Sequence, residues 1–353
     1  MPMNPTLKRL LTKAYLSGFG NLHQLSHEEI RRYLQHPKLK VLEAPFQDFQ
    51  TNHGLTLRCY TPSALKDQTS PVPTVIYLSA TAFVLDRLDA CNDYCSLLAN
   101  NLEMKVINIA HRLAPEFKFP RFLYDCTESI EWIADNASQL GIDPQKIAIW
   151  GESSGGSIAA SCTHVLRDAG RSIIQHQTLF YPMVDLVNPF RSKTLYSNGF
   201  MLDKTFVEWL DARGFHPEQN RACPLASPLL SSDFAMLPPA TIISAQYDPL
   251  RDEGEAYAKK LKAAGVKVTT KRFMGMIHGF MRFYPKVEAT QAALDFACAA
   301  IKSHFAQGLL PEGGGTRPVE GGDAEGAGVD APAAGVVAGA AGAAGAAGAA
   351  GAP

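Results

Sequence analysis

The sequence predicts an α/β architecture, in which a mostly parallel sheet is flanked by helices. Between roughly residues 40 and 306, short apolar runs rich in strand-forming residues alternate with longer runs of helical periodicity. Chemically reactive side chains directly follow three of the short runs, at the edge where open parallel sheets bind ligands. The predicted strands are 73–78, 105–110, 146–150, 177–182, 240–247 and 266–273. The predicted helices are 120–140, 154–168, 252–264 and 286–305.

Two stretches depart from this alternation and predict a helical cap over the carboxyl edge of the sheet. The first is residues 1–40, which begin with an amphipathic pattern and contain the capping-box pattern Ser26-x-x-Glu29. The second is an insert at about 187–235, in which FMLDKTFVEWLDARGF has a helical pattern between proline-rich loops. The main domain is therefore predicted to span residues 41–306, with the insert inside it.

Residues 307–353 are predicted to be a disordered tail. From residue 312 onward the chain has no aromatic residue, and it ends in a Gly-Ala-Ala repeat that cannot bury a core. Collagen also has glycine at every third position, but these few repeats lack the proline that a triple helix needs. We therefore expect the tail to take no part in the chemistry.

The composition excludes several classes of function. The chain of 353 residues has 33 basic and 34 acidic residues, which gives no excess positive charge for binding nucleic acid. No run of about 18 strongly apolar residues predicts a membrane span, and the amphipathic N-terminus does not resemble a secretion signal. The 7 cysteines form an odd set without metal-site spacing, which indicates free thiols in a reducing cytoplasm. Nothing in the sequence specifies an interface, so an oligomer stays open.

The motif GESSG at 151–155 places a serine on a tight turn between a predicted strand and a predicted helix. Glycines at both ends of Gly-x-Ser-x-Gly permit the strained turn that lifts the serine hydroxyl into the crevice. The N-terminus of the following helix also directs free N–H groups at negative charge that develops beside Ser153. The alternative interpretation is a small-residue turn that packs a helix closely against the sheet. We predict that Ser153 is a nucleophile.

Two further residues follow strands and match the chemistry that such a serine needs. Asp248 immediately follows an apolar strand, and His278 lies in a glycine-flanked loop after the last strand. A histidine can take the serine proton as general base, and a carboxylate can orient the ring and stabilise its cation. Asp252 and Glu253 lie nearby, but they fall at the start of a predicted helix, where acids favour the dipole. The order Ser, Asp, His is that of α/β-hydrolases, so these three residues are predicted to form a catalytic triad with Ser153 as its nucleophile.

Several motifs together carry a resemblance to one family. They are HRLAPEFKFP (111–120), GESSGG (151–156), SPLL (227–230), LPPATIISAQYDPLRDEGEAYAKKLKAAGV (237–266) and GMIHGF (275–280). With them the chain resembles the bacterial hormone-sensitive-lipase-like branch of the α/β-hydrolases. The resemblance implies the α/β-hydrolase fold with a helical cap, the same triad, and no metal or organic cofactor. It also implies a carboxylesterase or lipase-like activity on small-molecule esters with short or medium acyl chains.

One motif of the family is altered in this chain. Members of the branch carry His-Gly-Gly-Gly after the first of the predicted strands, whereas residues 79–82 read Ser-Ala-Thr-Ala. The resemblance implies an oxyanion hole formed by the backbone N–H groups of Ala80, Thr81 and Ser154. A Cβ atom in a left-handed conformation costs roughly 1–2 kcal/mol, and losing one donor costs about 2.7–4 kcal/mol. The triad is worth more, on the order of a millionfold in rate. The altered loop thus predicts a weakened or unusually selective esterase.

Two other functions remain open from the sequence alone. The chain could be a non-catalytic or weakly active small-molecule binder, similar to plant hormone receptors of this family that have lost the catalytic histidine. The altered loop favours this alternative, and the presence of His278 argues against it. The serine chemistry could also act on an amide, a lactone, or an acetylated sugar or peptide.

Overall fold

A computed structural model describes residues 1–33, 39, 41–85 and 88–307. Its strands are β1 Phe46–Gln50, β2 Thr56–Tyr60, β3 Val72–Leu78, β4 Lys105–Ile109, β5 Ile142–Glu152, β6 Ile174–Phe180, β7 Ala240–Tyr247 and β8 Val268–Ile277. Its α-helices are α1 Pro5–Leu16, α2 His27–Tyr33, α3 Asn92–Leu102, α4 Arg121–Asp135, α5 Ala137–Leu140, α6 Ser154–Asp168, α7 Arg191–Leu195, α8 Lys204–Gly214, α9 Arg251–Ala263 and α10 Glu288–Gln307. Short 3-10 helices span Phe19–Gln24, Ser63–Leu65, Asp89–Cys91, Pro228–Leu230 and Phe280–Phe283. Apart from Gln307, the predicted tail at 307–353 lies outside the described residues.

The strands form one sheet in the order β1-β2-β4-β3-β5-β6-β7-β8. β2 pairs antiparallel with β1 and β4, and every other neighbouring pair is parallel. Side chains alternate between the faces of a strand, so Val75 and Tyr77 pack with α1, α3 and α10. Ile76 and Leu78 pack with α4, α6 and α9. The predicted fold class, a mostly parallel sheet flanked by helices, is confirmed.

The predicted elements differ from the structure mainly at their ends. β5 begins at Ile142 rather than 146, and β8 continues to Ile277, directly before the predicted histidine. The predicted helix over 120–140 is two helices, α4 and α5, which are interrupted at Asn136. The antiparallel strands β1 and β2 were not predicted. β1 reads FQDFQ and is mostly exposed, so it lacks the apolar alternation that identifies a half-buried strand.

The N-terminal segment contacts the insert directly. The capping box at the start of α2 is confirmed, because the Ser26 N–H donates to Glu29 Oε2 at 2.8 Å and the Glu29 N–H donates to Ser26 Oγ at 3.2 Å. Tyr15 on α1 donates its hydroxyl to the Asp203 carboxylate, just before α8, at 2.7 Å. Burial and this carboxylate raise the pKa of Tyr15. Both stretches predicted to form the cap therefore contain helices, and the bond between Tyr15 and Asp203 joins one stretch to the other.

Two properties of the chain bear on its environment. Within the described ranges, no helix is long and apolar enough to cross a membrane. The seven cysteines all lie in described ranges and are free thiols, and all but Cys223 are buried.

Candidate active site

The predicted nucleophile lies on a single-residue turn between β5 and α6. Ser153 has φ 55° and ψ −117°, a strained conformation that is rare for residues other than glycine. Its N–H donates to Phe180 O on β6 at 3.0 Å, and its carbonyl accepts the N–H of Ser157 at 3.0 Å. The neighbouring strand and the first turn of the helix thus hold the strained backbone in place.

Glycine is required at both ends of this turn because backbone meets backbone there. A Cβ atom on Gly151 would lie 2.7 Å from the carbonyl carbon of Gly155 and from Cα of Gly156. A Cβ atom on Gly155 would lie 2.6 Å from Ser79 O and would also collide with the Leu78 carbonyl. Neither contact can be relieved by a side-chain rotation. The turn therefore depends on glycine for close approach of the chain.

The three residues of the predicted triad lie in one hydrogen-bonded row. Ser153 Oγ is 2.9 Å from His278 Nε2, and His278 Nδ1 is 3.0 Å from Asp248 Oδ2 and 3.1 Å from Oδ1. Asp248 is fully buried directly after β7, and Oδ1 also accepts the Leu250 N–H at 2.8 Å. His278 follows β8 and precedes Gly279, which has φ 64°. This arrangement can pass a proton from the serine hydroxyl to the imidazole while the carboxylate orients the ring.

A tyrosine and a glutamate that were not predicted support this row. The Tyr181 ring packs edge-on against the His278 ring, with centroids 5.0 Å apart. Its hydroxyl donates to Glu152 Oε2 at 2.9 Å. Burial, followed by the nearby Glu152 carboxylate, raises the pKa of Tyr181 well above 10, which keeps this hydroxyl protonated as a donor. Two features of the sequence could have identified these residues. Glu152 lies inside the serine motif, and Tyr181 directly follows a strand.

Two acidic residues interpreted as helix-start residues have specific partners in the structure. Glu253 is fully buried, accepts the Val184 N–H at 2.9 Å and pairs with Lys193 Nζ at 2.7 Å. Burial raises the pKa of Glu253 to about 7, although Lys193 acts in the opposite direction. Asp252 Oδ2 accepts the Ser192 N–H at 2.9 Å. Both residues do lie in the first turn of α9, and in addition they tie the beginning of the insert to the main domain.

The three predicted oxyanion donors are placed differently from one another. Ala80 and Ser154 line the cavity into which the triad opens. Thr81 faces a second, polar cavity, where its Oγ1 lies 3.3 Å from His111 Nε2. Its N–H donates to Ser79 O at 2.8 Å. The structure therefore places two of these residues at the site, while the N–H of the third is donated within its own loop.

Non-glycine residues adopt left-handed backbone angles in this loop. Ala82 has φ 48° and Phe83 has φ 61°. The Ala82 N–H donates to Ser154 Oγ at 2.8 Å, and the Phe83 N–H donates to Thr81 Oγ1 at 3.2 Å. Left-handed angles cost an L-residue roughly 1–2 kcal/mol, which hydrogen bonds of about 1 kcal/mol each can offset. The hydroxyls of Ser154 and Thr81 thus stabilise a loop conformation that would otherwise favour glycine.

The cavity at the triad is small and mostly apolar, with a volume of about 140 Å³. The N-terminal segment and the insert supply part of its wall, namely Phe19, Met201, Leu202, Phe206 and Leu210. In the part of the chain that the structure describes, no group of three or more His, Cys, Asp or Glu residues could hold a metal ion.

Comparison with known proteins identifies the family. The family model of the alpha/beta hydrolase fold matches residues 75–282. The arylesterase of Saccharolobus solfataricus is 32% identical over 289 residues, which cover 80% of this chain and 93% of that protein. The ethyl acetate hydrolase of Pseudomonas putida is 32% identical over 255 residues, 72% of this chain and 80% of that protein.

A solved structure agrees with these relatives. The ester-hydrolase from the metagenome of Lake Arreo has a TM-score of 0.80 and 32% identity, and the match covers 86% of this chain and 99% of that one. The chain belongs to the α/β-hydrolase family. Within it, the chain belongs to the hormone-sensitive-lipase-like esterases and is an enzyme that acts on ester bonds.

Proposed function

We propose that this esterase hydrolyses short-chain carboxylic esters through an acyl-enzyme on Ser153. The observation that carries the proposal is the buried row of Ser153, His278 and Asp248, with contacts of 2.9 and 3.0 Å. A serine hydroxyl is a weak nucleophile until an adjacent base takes its proton, and the row supplies that base together with its orienting carboxylate.

In the first half of the proposed reaction, Ser153 Oγ bonds to the ester carbonyl carbon and its proton moves to His278 Nε2. The carbonyl π electrons move onto the oxygen and produce an oxyanion. When the C=O bond reforms, the C–O bond to the alcohol breaks, and His278 gives its proton to the leaving alcohol. In the second half, water attacks the acyl-enzyme while His278 takes one of its protons, and return of that proton to Ser153 releases the acid.

The proposed oxyanion donors are the N–H groups of Ala80 and Ser154, which border the cavity. Thr81 contributes its N–H only if substrate binding breaks the bond to Ser79 O. Hydrogen bonds at an active site often tighten or rearrange when the substrate arrives. The loop thus offers fewer available N–H donors to the oxyanion than a glycine loop would. This agrees with the weakened esterase activity that the altered motif predicts.

The size of the cavity supports short acyl groups. A volume of about 140 Å³ corresponds to roughly ten water-sized spheres, at about 10–15 Å³ each. The ethyl acetate hydrolase among the relatives carries a short-chain ester in its name. We propose that the cap formed by residues 1–40 and the insert at about 187–235 closes over this space. The free thiols support the further proposal of a cytoplasmic location.

Labelling with a fluorophosphonate probe tests the nucleophile. We expect the parent protein to be labelled and Ser153→Ala to be unlabelled, because the probe reacts only with an activated serine. Ser157→Ala is the matched control, since this buried serine lies one turn further along α6 and does not line the triad cavity. An unlabelled parent, or equal labelling of the Ser153 variant, would contradict the proposal.

A panel of nitrophenyl esters with increasing acyl length tests the substrate class. We expect turnover to be highest for the shortest acyl groups and to fall as the acyl chain outgrows the cavity. The intact triad contacts give no support to a non-catalytic binder. Binding of these esters without turnover would favour that alternative. Faster turnover of matched amides, lactones or acetylated sugars would change the substrate class and leave the serine chemistry in place.

A further inference from the structure

We propose that the Ser154 hydroxyl is an additional oxyanion donor, which links the Ala82 N–H to the substrate carbonyl oxygen. This inference rests on the proposed acyl-enzyme at Ser153. It assigns a catalytic task to a side chain, whereas the family resemblance implies only a backbone role for Ser154. It also gives the altered loop at 79–82 a direct connection to the reacting atoms.

The position of the hydroxyl carries the inference. Ser154 follows the nucleophile, begins α6, is 1% exposed and lines the triad cavity. Its Oγ accepts the Ala82 N–H at 2.8 Å. Among the described residues, no acceptor is found for the hydrogen of this hydroxyl. A serine hydroxyl has one donor and two acceptor sites, so its hydrogen is still available to a group bound in the cavity that Ser154 lines.

The chemistry of the pair explains why the hydroxyl suits an oxyanion. While the Ala82 N–H is donated to Ser154 Oγ, it cannot face the substrate itself. A hydroxyl that accepts one hydrogen bond becomes a stronger donor in the next, because hydrogen bonds in a chain polarise one another. An oxyanion that forms during attack is the strongest acceptor to enter this cavity. Side-chain hydroxyls are among the groups that stabilise such charge in enzymes.

Two other roles for the same contact make different predictions. If Ser154 is only an anchor for the loop, removing its hydroxyl lowers stability and leaves turnover nearly unchanged. If Ser154 instead occupies the Ala82 N–H and keeps it from the substrate, removing the hydroxyl raises turnover. A hydroxyl that touches the oxyanion makes stabilisation of the tetrahedral state fall with turnover, even where the free energy of unfolding is unchanged.

The experiment compares Ser154→Ala with the parent and with Ser157→Ala. Turnover of a nitrophenyl acetate is measured, together with the inhibition constant of a trifluoromethyl ketone, whose adduct with Ser153 carries an oxyanion. We expect Ser154→Ala to lower kcat by about 100-fold, the size typical of one lost donor, with KM changed by less than about threefold. The ketone should weaken by a similar factor, and Ser157→Ala should match the parent in both measurements.

Several outcomes would overturn the inference. They are a Ser154→Ala variant with kcat within about threefold of the parent, one with a raised kcat, or one with unchanged ketone affinity. If Ser154→Ala does not fold, Ser154→Cys replaces it, because a thiol is a weak donor of similar shape and should also lower both quantities. A parent that the fluorophosphonate probe does not label removes the acyl-enzyme mechanism and this inference with it. A labelled parent with an undiminished variant removes this inference alone.

Discussion

Two chain segments meet at the proposed nucleophile, Ser153, and accommodate tight backbone turns in different ways. In the turn at 151–155, both flanking glycines are retained, because an added Cβ would strike backbone atoms. In the loop at 79–82, no glycine remains, yet Ala82 keeps a left-handed φ of 48°. Glycine is therefore indispensable where backbone packs against backbone. It can be replaced where side-chain hydroxyls can hold the conformation.

The two segments also differ in what they contribute to the site. The turn presents the Ser153 hydroxyl, and its backbone is held by β6 and α6. The loop presents N–H groups, of which those of Thr81 and Ala82 are already donated within the structure. Changes in the turn should therefore damage folding and activity together. Changes that remove or move a donor of the loop should affect mainly transition-state stabilisation.

The largest effect is expected from Gly155→Ala in the turn. The new Cβ would lie 2.6 Å from Ser79 O, so the loop or the start of α6 must shift. We expect a loss of more than about 3 kcal/mol in the free energy of unfolding, the upper end for overpacking, and no measurable esterase activity. Urea denaturation and an ester assay check both quantities.

Gly214→Ala is the control for that variant. At Gly214 an added Cβ would only reach the Phe83 side chain at 3.5 Å, an ordinary contact. We expect its stability to remain within about 1 kcal/mol of the parent, since alanine is also the better helix residue at the end of α8. Equal losses at Gly155 and Gly214 would contradict the argument that backbone contact, rather than burial, requires glycine in the turn.

The next largest effect is expected from Asp248→Asn, which changes the triad and leaves the loop at 79–82 intact. An amide can donate to His278 Nδ1 and thus select the wrong tautomer, and it cannot stabilise the imidazolium. We expect kcat to fall about 10⁴-fold, as for the corresponding change in a well-studied protease, while KM changes little. This loss should exceed that of Ser154→Ala. A smaller loss than in Ser154→Ala would mean that the loop, and not the triad, dominates the rate.

Sequence patterns were sufficient for the parts of the molecule that obey local rules. Most of the parallel strands were visible because they contain continuous apolar runs. The capping box was visible because its two residues lie three positions apart and bond each other's backbone. Ser153, Asp248 and His278 could be predicted to lie close together because each follows a strand, and the topology of a parallel sheet brings such ends together. The exposed edge strand β1 was missed, since its FQDFQ sequence carries no apolar alternation.

Other features depend on tertiary contacts that no local pattern encodes. The edge-on packing of Tyr181 against His278 joins residues that follow different strands. The hydrogen bond from the Ala82 N–H to Ser154 spans 72 positions. Glu253 looked like a helix-start acid because its partners, Val184 and Lys193, lie about 60 to 70 positions earlier in the chain. In each case the sequence showed the residue type, and only the fold showed its partner.

A smaller effect is expected from the Glu253 carboxylate, which joins the insert to the main domain through its ion pair with Lys193. The pKa of Glu253 is raised to about 7 from 4.5, so the folded state binds more protons than the unfolded state between these values. Stability therefore falls as the pH rises from about 4.5 to about 7. Urea denaturation at pH about 4.5 and about 7 should show a smaller decrease in the free energy of unfolding for Glu253→Gln than for the parent. The exposed Glu208→Gln is the control, and an unchanged pH dependence in Glu253→Gln would contradict the assignment.

The smallest effect is expected from Ala82→Gly in the loop. Glycine relieves roughly 1–2 kcal/mol of left-handed strain, but it adds about 0.5–1 kcal/mol of chain entropy to the unfolded state. We expect the free energy of unfolding in urea to stay equal to that of the parent or to rise by up to about 1 kcal/mol. Glu103→Gly should behave in the same way, because Glu103 has φ 55° at the end of α3. If Ala82→Gly is instead more than about 1 kcal/mol less stable, the Ala82 methyl group itself holds the loop, and the hydroxyl of Ser154 is not its main support.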